Sequence, residues 1–400
     1  MKSKPKARIA LAFPLGLAFI ERLQQGILDY AQQRGGWTLT RVPEMLSPSI
    51  GWLRHWPGDG AIVLVTTRAD ARIARALRIP AVNLAGHLAD ASVPTVMVDH
   101  LATGKLAAQH FLERRFQRFG FYGTRGKWYS EQRREGFAAV VQQAGGQCSD
   151  LETLDITGHR FRWTNQQEEL ERWLRTLQPP VGILASTDLR AGMVLDACAR
   201  LGLRVPEDVA VMGVDNDPVA CEFCHPALTS VSRNDREVGY QAAALLDRLM
   251  RGGRPPEQPV LIAPDGVVRR RSTETLAIED PHVAAAVRHI RDNLHEQFGV
   301  ERIAGRTPLS RRRLEHRFKK TLGSTPYALI NELRVERARQ LLAQPEKRSL
   351  TQVAAECGFT ELRRLRLVFL RLTGLTPAKY RQQARDTGAA SVKPAPTVRG

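Results

Sequence analysis

The chain has 400 residues, long enough for two or three domains each with its own core, which excludes a small stapled scaffold. Its 43% hydrophobic and 25% charged residues are ordinary for a globular protein, but a formal charge of +18 and a pI near 10.4 are not, and such an excess requires a polyanionic partner. Residues 282–385 hold 22 Lys and Arg against 9 Asp and Glu. That net of +13 sits on about a quarter of the chain, which favours nucleic acid over a membrane surface.

At the N-terminus, MKSKPKARIALAFPLGLAF is basic and then apolar. Pro14 interrupts the run and no small-residue cleavage site follows, so RIALAF reads as a buried strand, not an export signal. No later run approaches the roughly twenty apolar residues of a membrane-crossing helix. The expectation is a cytoplasmic protein with no membrane partner. The runs RIALAF, GAIVLVTT, AVNLAG, TVMVD, RFGFYGT, VGILAST and DVAVMGVD then recur between amphipathic stretches. Continuous apolar runs of this length describe strands of a parallel sheet buried on both faces.

The intervening stretches carry helical spacing. TGKLAAQHFLERRF puts Leu106, Ala107, His110, Phe111 and Phe116 in register, and DLRAGMVLDACARLGL puts Met193, Leu195, Ala197 and Cys198 on a stripe ended by Gly202. After GGRPPEQP comes a last extended segment, VLIAP to VVRRRST. Residues 1–275 therefore read as an α/β region. Five cysteines are sparse and odd in number, which fits a reducing compartment. CEFCH, from Cys221 to His225, has the spacing of haem c attachment, but with no export signal it reads as an ordinary loop. No metal and no cofactor is expected.

From Asp280 the strand pattern gives way to helix signals and an internal repeat. FKKTLGSTP at 318–326 returns as FLRLTGLTP at 369–377, with Leu314 answered by Leu365. Upstream, Val300, Ile303, Ala304 and Thr307 match Leu350, Val353, Ala354 and Cys357 at the spacing of one helical face. In LSRRRLEHRFKK, at 309–320, Ser310 caps a helix, Leu309 staples to Leu314, and Leu314, Phe318 and Leu322 form the buried stripe. Arg311, Arg312, Arg313, His316, Arg317, Lys319 and Lys320 are left for nucleic acid. A short helix over 300–305 completes a helix-turn-helix.

The second unit repeats this arrangement. Ser349 and Gln352 make a capping box, Gly358 supplies the turn, and Thr360 caps a helix whose buried stripe is Leu362, Leu365, Phe369 and Leu372. Glu361, Arg363, Arg364, Arg366 and Leu367 face outward. TPYALINELRVERARQLLAQ between the units predicts one rigid spacing helix, so that two readers enter successive major grooves of double-stranded DNA about 34 Å apart. Residues 276–385 are thus an all-α tandem helix-turn-helix domain, and 386–400 is expected to be a disordered tail.

LRVERARQLLAQ, then SLTQVAAECGFTE and F-x-R-x-x-G-L-T-P-A-K-Y-R, resembles the DNA-binding domain of the AraC family of bacterial transcription regulators over about 282–383. One departure is ELRRLRLVF, which lacks the small or polar residue followed by an aromatic that usually precedes the core Phe of the second reader. Upstream, TVMVDHLATG, the R-x-x-G-F of Arg133 to Phe137, GILASTDLRAGMVLDACARLGLRVPEDVAVMGVDNDP and PALTSV resemble LacI-type sensors, which are related to periplasmic sugar-binding proteins. The resemblance implies a two-lobed periplasmic-binding-protein-like sensor, a small-molecule effector such as xylose or a related sugar, and a homodimer formed through the sensor. RNA polymerase is a further partner it allows.

A cleft at the strand ends of two lobes gathers Phe13, Thr66, Thr67, Asp99, Trp128, Arg133, Thr187, Asp188 and Asp215. Asp99, Arg133, Thr187 and Asp215 match the sugar-contacting positions of LacI-type sensors. A carboxylate and an Arg fork can bridge vicinal hydroxyls, and an indole can cover the apolar face of a sugar ring. Structural alternatives stand beside these roles. Asp188 suits a helix cap, Trp128 core or hinge packing, Arg133 pairing with a neighbouring carboxylate, and Asp215 a turn. In FPLGLAFIERL, Pro14, Leu15, Leu17 and Ile20 stand where a pentose site would use Asn, Lys or Asp, which points to a less polar or modified sugar. The sequence holds no dinucleotide or Walker loop, nucleophile elbow or metal-spaced cluster, so the chain is not read as an enzyme. The alternative function is a constitutive DNA binder with a degenerate sensor.

Overall fold

A computed structural model describes residues 7–14, 16–41, 50–155, 163–275, 277–278, 280–344 and 348–386. The chain divides into two compact units between Ala277 and Ile278. The first unit opens with β1 (Ala7–Ala12), α1 (Ala18–Arg34), β2 (Trp37–Arg41), β3 (Gly60–Val63), α2 (Arg68–Arg75), β4 (Ala81–Asn83) and β5 (Val96–Val98). Next come α3 (His100–Glu113), β6 (Arg118–Thr124), α4 (Trp128–Gln143), β7 (Gln147–Thr153), α5 (Trp163–Thr176), β8 (Val181–Ala185), α6 (Asp188–Leu201), β9 (Val209–Val214), α7 (Pro218–Phe223) and β10 (Thr229–Ser232). It closes with α8 (Asp235–Met250), β11 (Val260–Ile262) and β12 (Gly266–Val268).

These strands build two lobes. The first has the parallel order β2-β1-β3-β4, with β5 paired to β11 beside it; the second has the order β12-β10-β9-β8-β6-β7, parallel except for β12. All seven apolar runs of the sequence lie in strands, and both faces are buried as such runs require. In β1, Ile9 and Leu11 pack toward α1 and α8, while Ala10 and Ala12 pack on the opposite face with Ile50, Leu53 and Ala71. In the second lobe, Phe119 and Phe121 of β6 share one core with Phe111 and Phe137, and Tyr122 turns into the other with Trp173 and Ile183. Each large apolar side chain so buried contributes roughly 1.5–3 kcal/mol.

The chain crosses between the lobes at Asp99, at 233–235 and at 263–265, as the strand pairings require. Backbone bonds show that the C-terminal strand ends of the two lobes face one another. Trp128 N donates to the His87 carbonyl at 3.1 Å, and Tyr129 N to the Gly86 carbonyl at 2.7 Å. Among the described residues, no helix is long and apolar enough to cross a membrane.

The second unit comprises α9 (Pro281–Asp292), α10 (Val300–Ala304), α11 (Arg311–Leu322), α12 (Pro326–Ala343), α13 (Leu350–Glu356), α14 (Leu362–Thr373) and α15 (Pro377–Asp386). The expected spacing helix is α12, 18 residues or about 27 Å long. Its buried Arg334 donates to the Glu296 carbonyl at 2.7 Å and lies over the rings of Phe298, at 5.3 Å, and Phe359, at 5.8 Å. One guanidinium thus packs against an aromatic that precedes α10 and one in the turn between α13 and α14. Apart from Asp386, which ends α15, the tail expected to be disordered lies outside the described residues, as does Leu15.

Candidate effector cleft and DNA-reading helices

Arg133, on the second turn of α4, is 1% exposed. The α3–α4 contact holds it there, since a Cβ on Gly104 would come within 2.0 Å of the Arg133 carbonyl. Its Nη1 donates to the Ser186 carbonyl after β8, its Nη2 lies 3.7 Å from Asp215 Oδ1, and its guanidinium covers the Tyr129 ring at 5.2 Å. Burial, more than any neighbouring charge, lowers its pKa from the ordinary arginine range. Asp215 follows β9 with φ 117°, a costly backbone conformation for a residue with a side chain. The structural alternative for Arg133, pairing with a neighbouring carboxylate, is therefore realised with Asp215, and both residues stand at the strand ends.

Three further charged groups join them, none marked by the sequence reading. Arg233 Nη1 donates to Asp215 Oδ1 at 3.2 Å, its Nη2 lies 2.9 Å from Asp235, and its guanidinium covers the Phe19 ring at 4.8 Å. Arg22 of α1 donates to the Asp215 carbonyl at 2.5 Å and to Asp235 Oδ2 at 2.9 Å. The first lobe thereby reaches the loop after β9 in the second. Arg233 ends the TSVS strand at a lobe crossing, and that position was the available signal; Asp235 opens α8 and reads from sequence only as a helix start.

The remaining candidates divide. Asp188 is the first residue of α6 and does not cap it; Thr187 does, accepting from Arg190 N at 3.3 Å. The buried Asp188 carboxylate accepts from Asp217 N at 2.8 Å and from the Ser230 hydroxyl at 2.6 Å, and Cys221 Sγ lies 3.5 Å away. Burial, then the charge of Asp215, pushes its pKa up to about 7. Asp188 thus fastens the loop carrying Asp215 from behind. Trp128 is half-buried, edge-on to His100 with ring centroids 6.4 Å apart. Burial first holds His100 well below the usual histidine range, and burial followed by Lys127 lowers His87 to about 4.

In the first lobe the candidates are occupied locally. Phe13 is buried in the core with Ile20, one of the residues of the apolar loop, whereas Leu17 precedes α1 and is exposed. Thr67 and Asp70 form the capping box of α2, and the Thr66 hydroxyl donates to Asp70 at 3.2 Å. Asp99 caps α3 by accepting from Ala102 N at 2.8 Å.

In the second unit, Ser310 caps α11, and Leu314, Phe318 and Leu322 are its buried face. Arg312, Arg313, His316, Lys319 and Lys320 are exposed. Arg311 is held by Glu301 and by Glu315, the latter at 2.9 Å, and Arg317 by Asp280 at 3.1 Å. The second reader departs from the sequence reading in two respects. Its N-cap is Glu361, without a side-chain cap bond, not Thr360; and Val368 fills the buried face where Leu372 was expected, leaving Leu372 exposed. Arg363, Arg366 and Leu367 are exposed with Glu361, and Arg364 lies over the Tyr327 ring at 5.8 Å.

A two-lobed sensor of this topology followed by paired helix-turn-helix units defines the class of DNA-binding transcription regulators. Residues 108–273 match the periplasmic binding protein-like domain and residues 303–383 the helix-turn-helix domain. The chain is 31% identical over 382 residues to the xylose operon regulatory protein of Escherichia coli K12, spanning 94% of this chain and 96% of that one. It is 28% identical to the protein of the same name from Haemophilus influenzae, over 94% and 98% of the two chains. The solved structure of the xylose-binding transcription activator xylR aligns at TM-score 0.73 and 31% identity, covering 96% of this chain and 99% of that one. The chain belongs to this family of xylose operon regulatory proteins.

Proposed function

We propose that this regulator responds to a sugar bound between the lobes of its first unit, residues 1–275, and reads operator DNA through α11 and α14 of residues 276–385. The observation that carries the reading is the convergence of Arg133 and Arg233 on Asp215 at the strand ends, where a carboxylate and guanidinium forks can exchange one another for sugar hydroxyls. Thr187, which caps α6 and follows Ser186, and Trp128, which precedes Tyr129 in α4, adjoin these contacts of Arg133 in sequence, the indole suited to an apolar ring face. Family likeness makes xylose the first compound to test. Base edges are contacted by Arg312, Arg313 and His316 on α11 and by Arg363 and Arg366 on α14; Lys320 holds phosphate, and Arg311 and Arg317 exchange their carboxylates for it.

Calorimetric titration of the full chain with a sugar panel tests the sensor. Asp215→Ala and Arg133→Ala should abolish the ligand heat, a loss of about 2–3 kcal/mol, and leave ligand-free DNA binding intact. Unchanged affinity in both variants would overturn the assignment. The regulator also works as a homodimer through its sensor, a reading supported by exposed Leu189, Val219 and Phe223 on the adjoining α6 and α7. Sedimentation of Phe223→Glu should then show monomer. A protein acting on chromosomal operators in this way belongs in the cytoplasm, with RNA polymerase as a further partner.

A further inference from the structure

The second reader carries apolar side chains where the first carries polar ones. α11 and α14 are each 12 residues long, bury a leucine and a phenylalanine at matching positions, Leu314 and Phe318 or Leu365 and Phe369, and end on a left-handed glycine, Gly323 or Gly374. That match sets Leu367 of α14 against His316 of α11, and Leu370 against Lys319. All four side chains are exposed. A single exposed leucine is ordinary, but two of them three residues apart form a continuous apolar patch on one helix face.

The surrounding charge decides what covers this patch. Arg363 lies one helical turn before Leu367 and Arg366 one turn before Leu370, so each leucine stands beside an exposed guanidinium that has no side-chain partner among the described residues. Arg364 and Arg371 are exposed on the same helix, and residues 282–385 carry a net +13. The major groove of DNA presents partners for both kinds of side chain: guanine offers O6 and N7 to an arginine fork, and the C5-methyl of thymine is an apolar group on a base edge. Side chains one turn apart are about 5–6 Å apart at Cβ, within reach of neighbouring base pairs.

We propose that α14 reads C5-methylated pyrimidines beside guanine: Arg363 and Arg366 donate to guanine O6 and N7, and Leu367 and Leu370 cover the methyl groups of the adjoining pyrimidines. This rests on α14 reading operator DNA. A leucine touches the methyl and not the polar groups of the ring, so 5-methylcytosine fills the same contact as thymine. Cytosine methylation beside guanine therefore strengthens the second half-site.

The test removes single methyl groups from DNA. Full-length protein is titrated at one salt concentration with the site selected from random DNA, and with copies in which a pyrimidine beside guanine in the second half-site is thymine, uracil, cytosine or 5-methylcytosine. Uracil differs from thymine only by the methyl, so it should bind about threefold more weakly or worse, and 5-methylcytosine should bind about threefold more tightly than cytosine. Leu367→Ala and Leu370→Ala should each erase the difference between thymine and uracil at one position; both residues are exposed, and an unchanged melt confirms that the variants fold. Equal binding of thymine and uracil copies, with Arg363→Ala still altering base preference, overturns this inference and leaves α14 a DNA reader. A difference that survives in both leucine variants belongs to DNA shape and overturns it as well. Silence of Arg363→Ala and of both leucine variants on every sequence overturns the reader assignment of α14 too, and gives the leucine patch to a protein partner.

Discussion

The two helix-turn-helix units descend from one sequence pattern but hold their second helices differently. In the first, Ser310 caps α11, Arg311 is tied to Glu301 and Glu315, and Arg317 is tied to Asp280. In the second, α14 begins at Glu361 with no side-chain cap, its Arg363 and Arg366 have no side-chain partner among the described residues, and Leu367 and Leu370 are 57% and 46% exposed. The first reader is thus polar all along its outer face and partly neutralised by its own fold. The second alternates free guanidinium with bare leucine. A repeat therefore preserves the buried stripe, which packing enforces, while the outward face is free to diverge because only the ligand constrains it.

The turns differ more sharply than the helices, and the largest expected effect lies there. Gly358 has φ +72°, and a Cβ on it would stand 2.3 Å from the Leu294 carbonyl and 2.8 Å from that of Glu296. Gly305 has φ −64°, with its nearest obstacle at 3.5 Å. Gly358→Ala should destabilise the second unit by about 3 kcal/mol or more, from left-handed backbone and collision with main chain together. Gly305→Ala should be neutral or stabilise by up to roughly 1 kcal/mol. Thermal or urea melts of residues 278–386 decide it; equal losses in both variants would show the turns to be equivalent. Next comes Arg334→Ala, which leaves the Glu296 carbonyl unpaired and uncovers Phe298 and Phe359. A loss of about 2–3 kcal/mol is expected, with amide exchange rising around both aromatics. Exchange confined to one of them would mean Arg334 serves a single unit.

How far the sequence reveals these features depends on what constrains each. The seven buried runs were legible as strands because parallel strands covered on both faces must be continuously apolar. β2 and β7 were not, since they are outer strands of their sheets, and WTLTR and QCSDLET mix polar with apolar residues. α11 and α12 were legible through caps and periodicity. The cap of α14 was misplaced, because Thr360 is a good capping residue and the chain passes it by to start one residue later. In the cleft, Arg133 and Asp215 stood out through motifs, while Arg22, Arg233 and Asp235 come from three segments whose meeting depends on lobe closure, which local pattern does not encode. Asp188 looked like a cap because position is visible in sequence and burial is not.

The reader arginines test whether the divergent outer faces divide the work. Arg312→Ala or Arg313→Ala should change base preference in one half of the site, and Arg363→Ala or Arg366→Ala in the other half about one helical turn away, each by roughly 1–3 kcal/mol on the preferred sequence. Leu367→Ala should lower preference for thymine in the second half alone. Selection from random DNA reads all five. Uniform weakening on every sequence would assign the arginines to phosphate, and a silent α14 would make the second unit a scaffold with a footprint half as long.

The smallest effect concerns the caps, and it inverts the usual sense of a substitution. Ser310→Ala removes an acceptor for Arg313 N and should cost about 1 kcal/mol. At α14 the backbone of Glu361 is already extended, φ −144° and ψ 149°, as an N-cap requires, but its long side chain makes no cap bond. Glu361→Ser supplies the missing acceptor at the right distance and should stabilise the second unit by about 0.5–1 kcal/mol. The same change removes a carboxylate from the start of a helix that approaches phosphate, so DNA affinity should rise as well, with a steeper salt dependence. A gain in melting temperature without any change in DNA binding would show that Glu361 lies clear of the DNA; a gain in binding without stability would show that its charge, and not the open cap, is what limits the second reader.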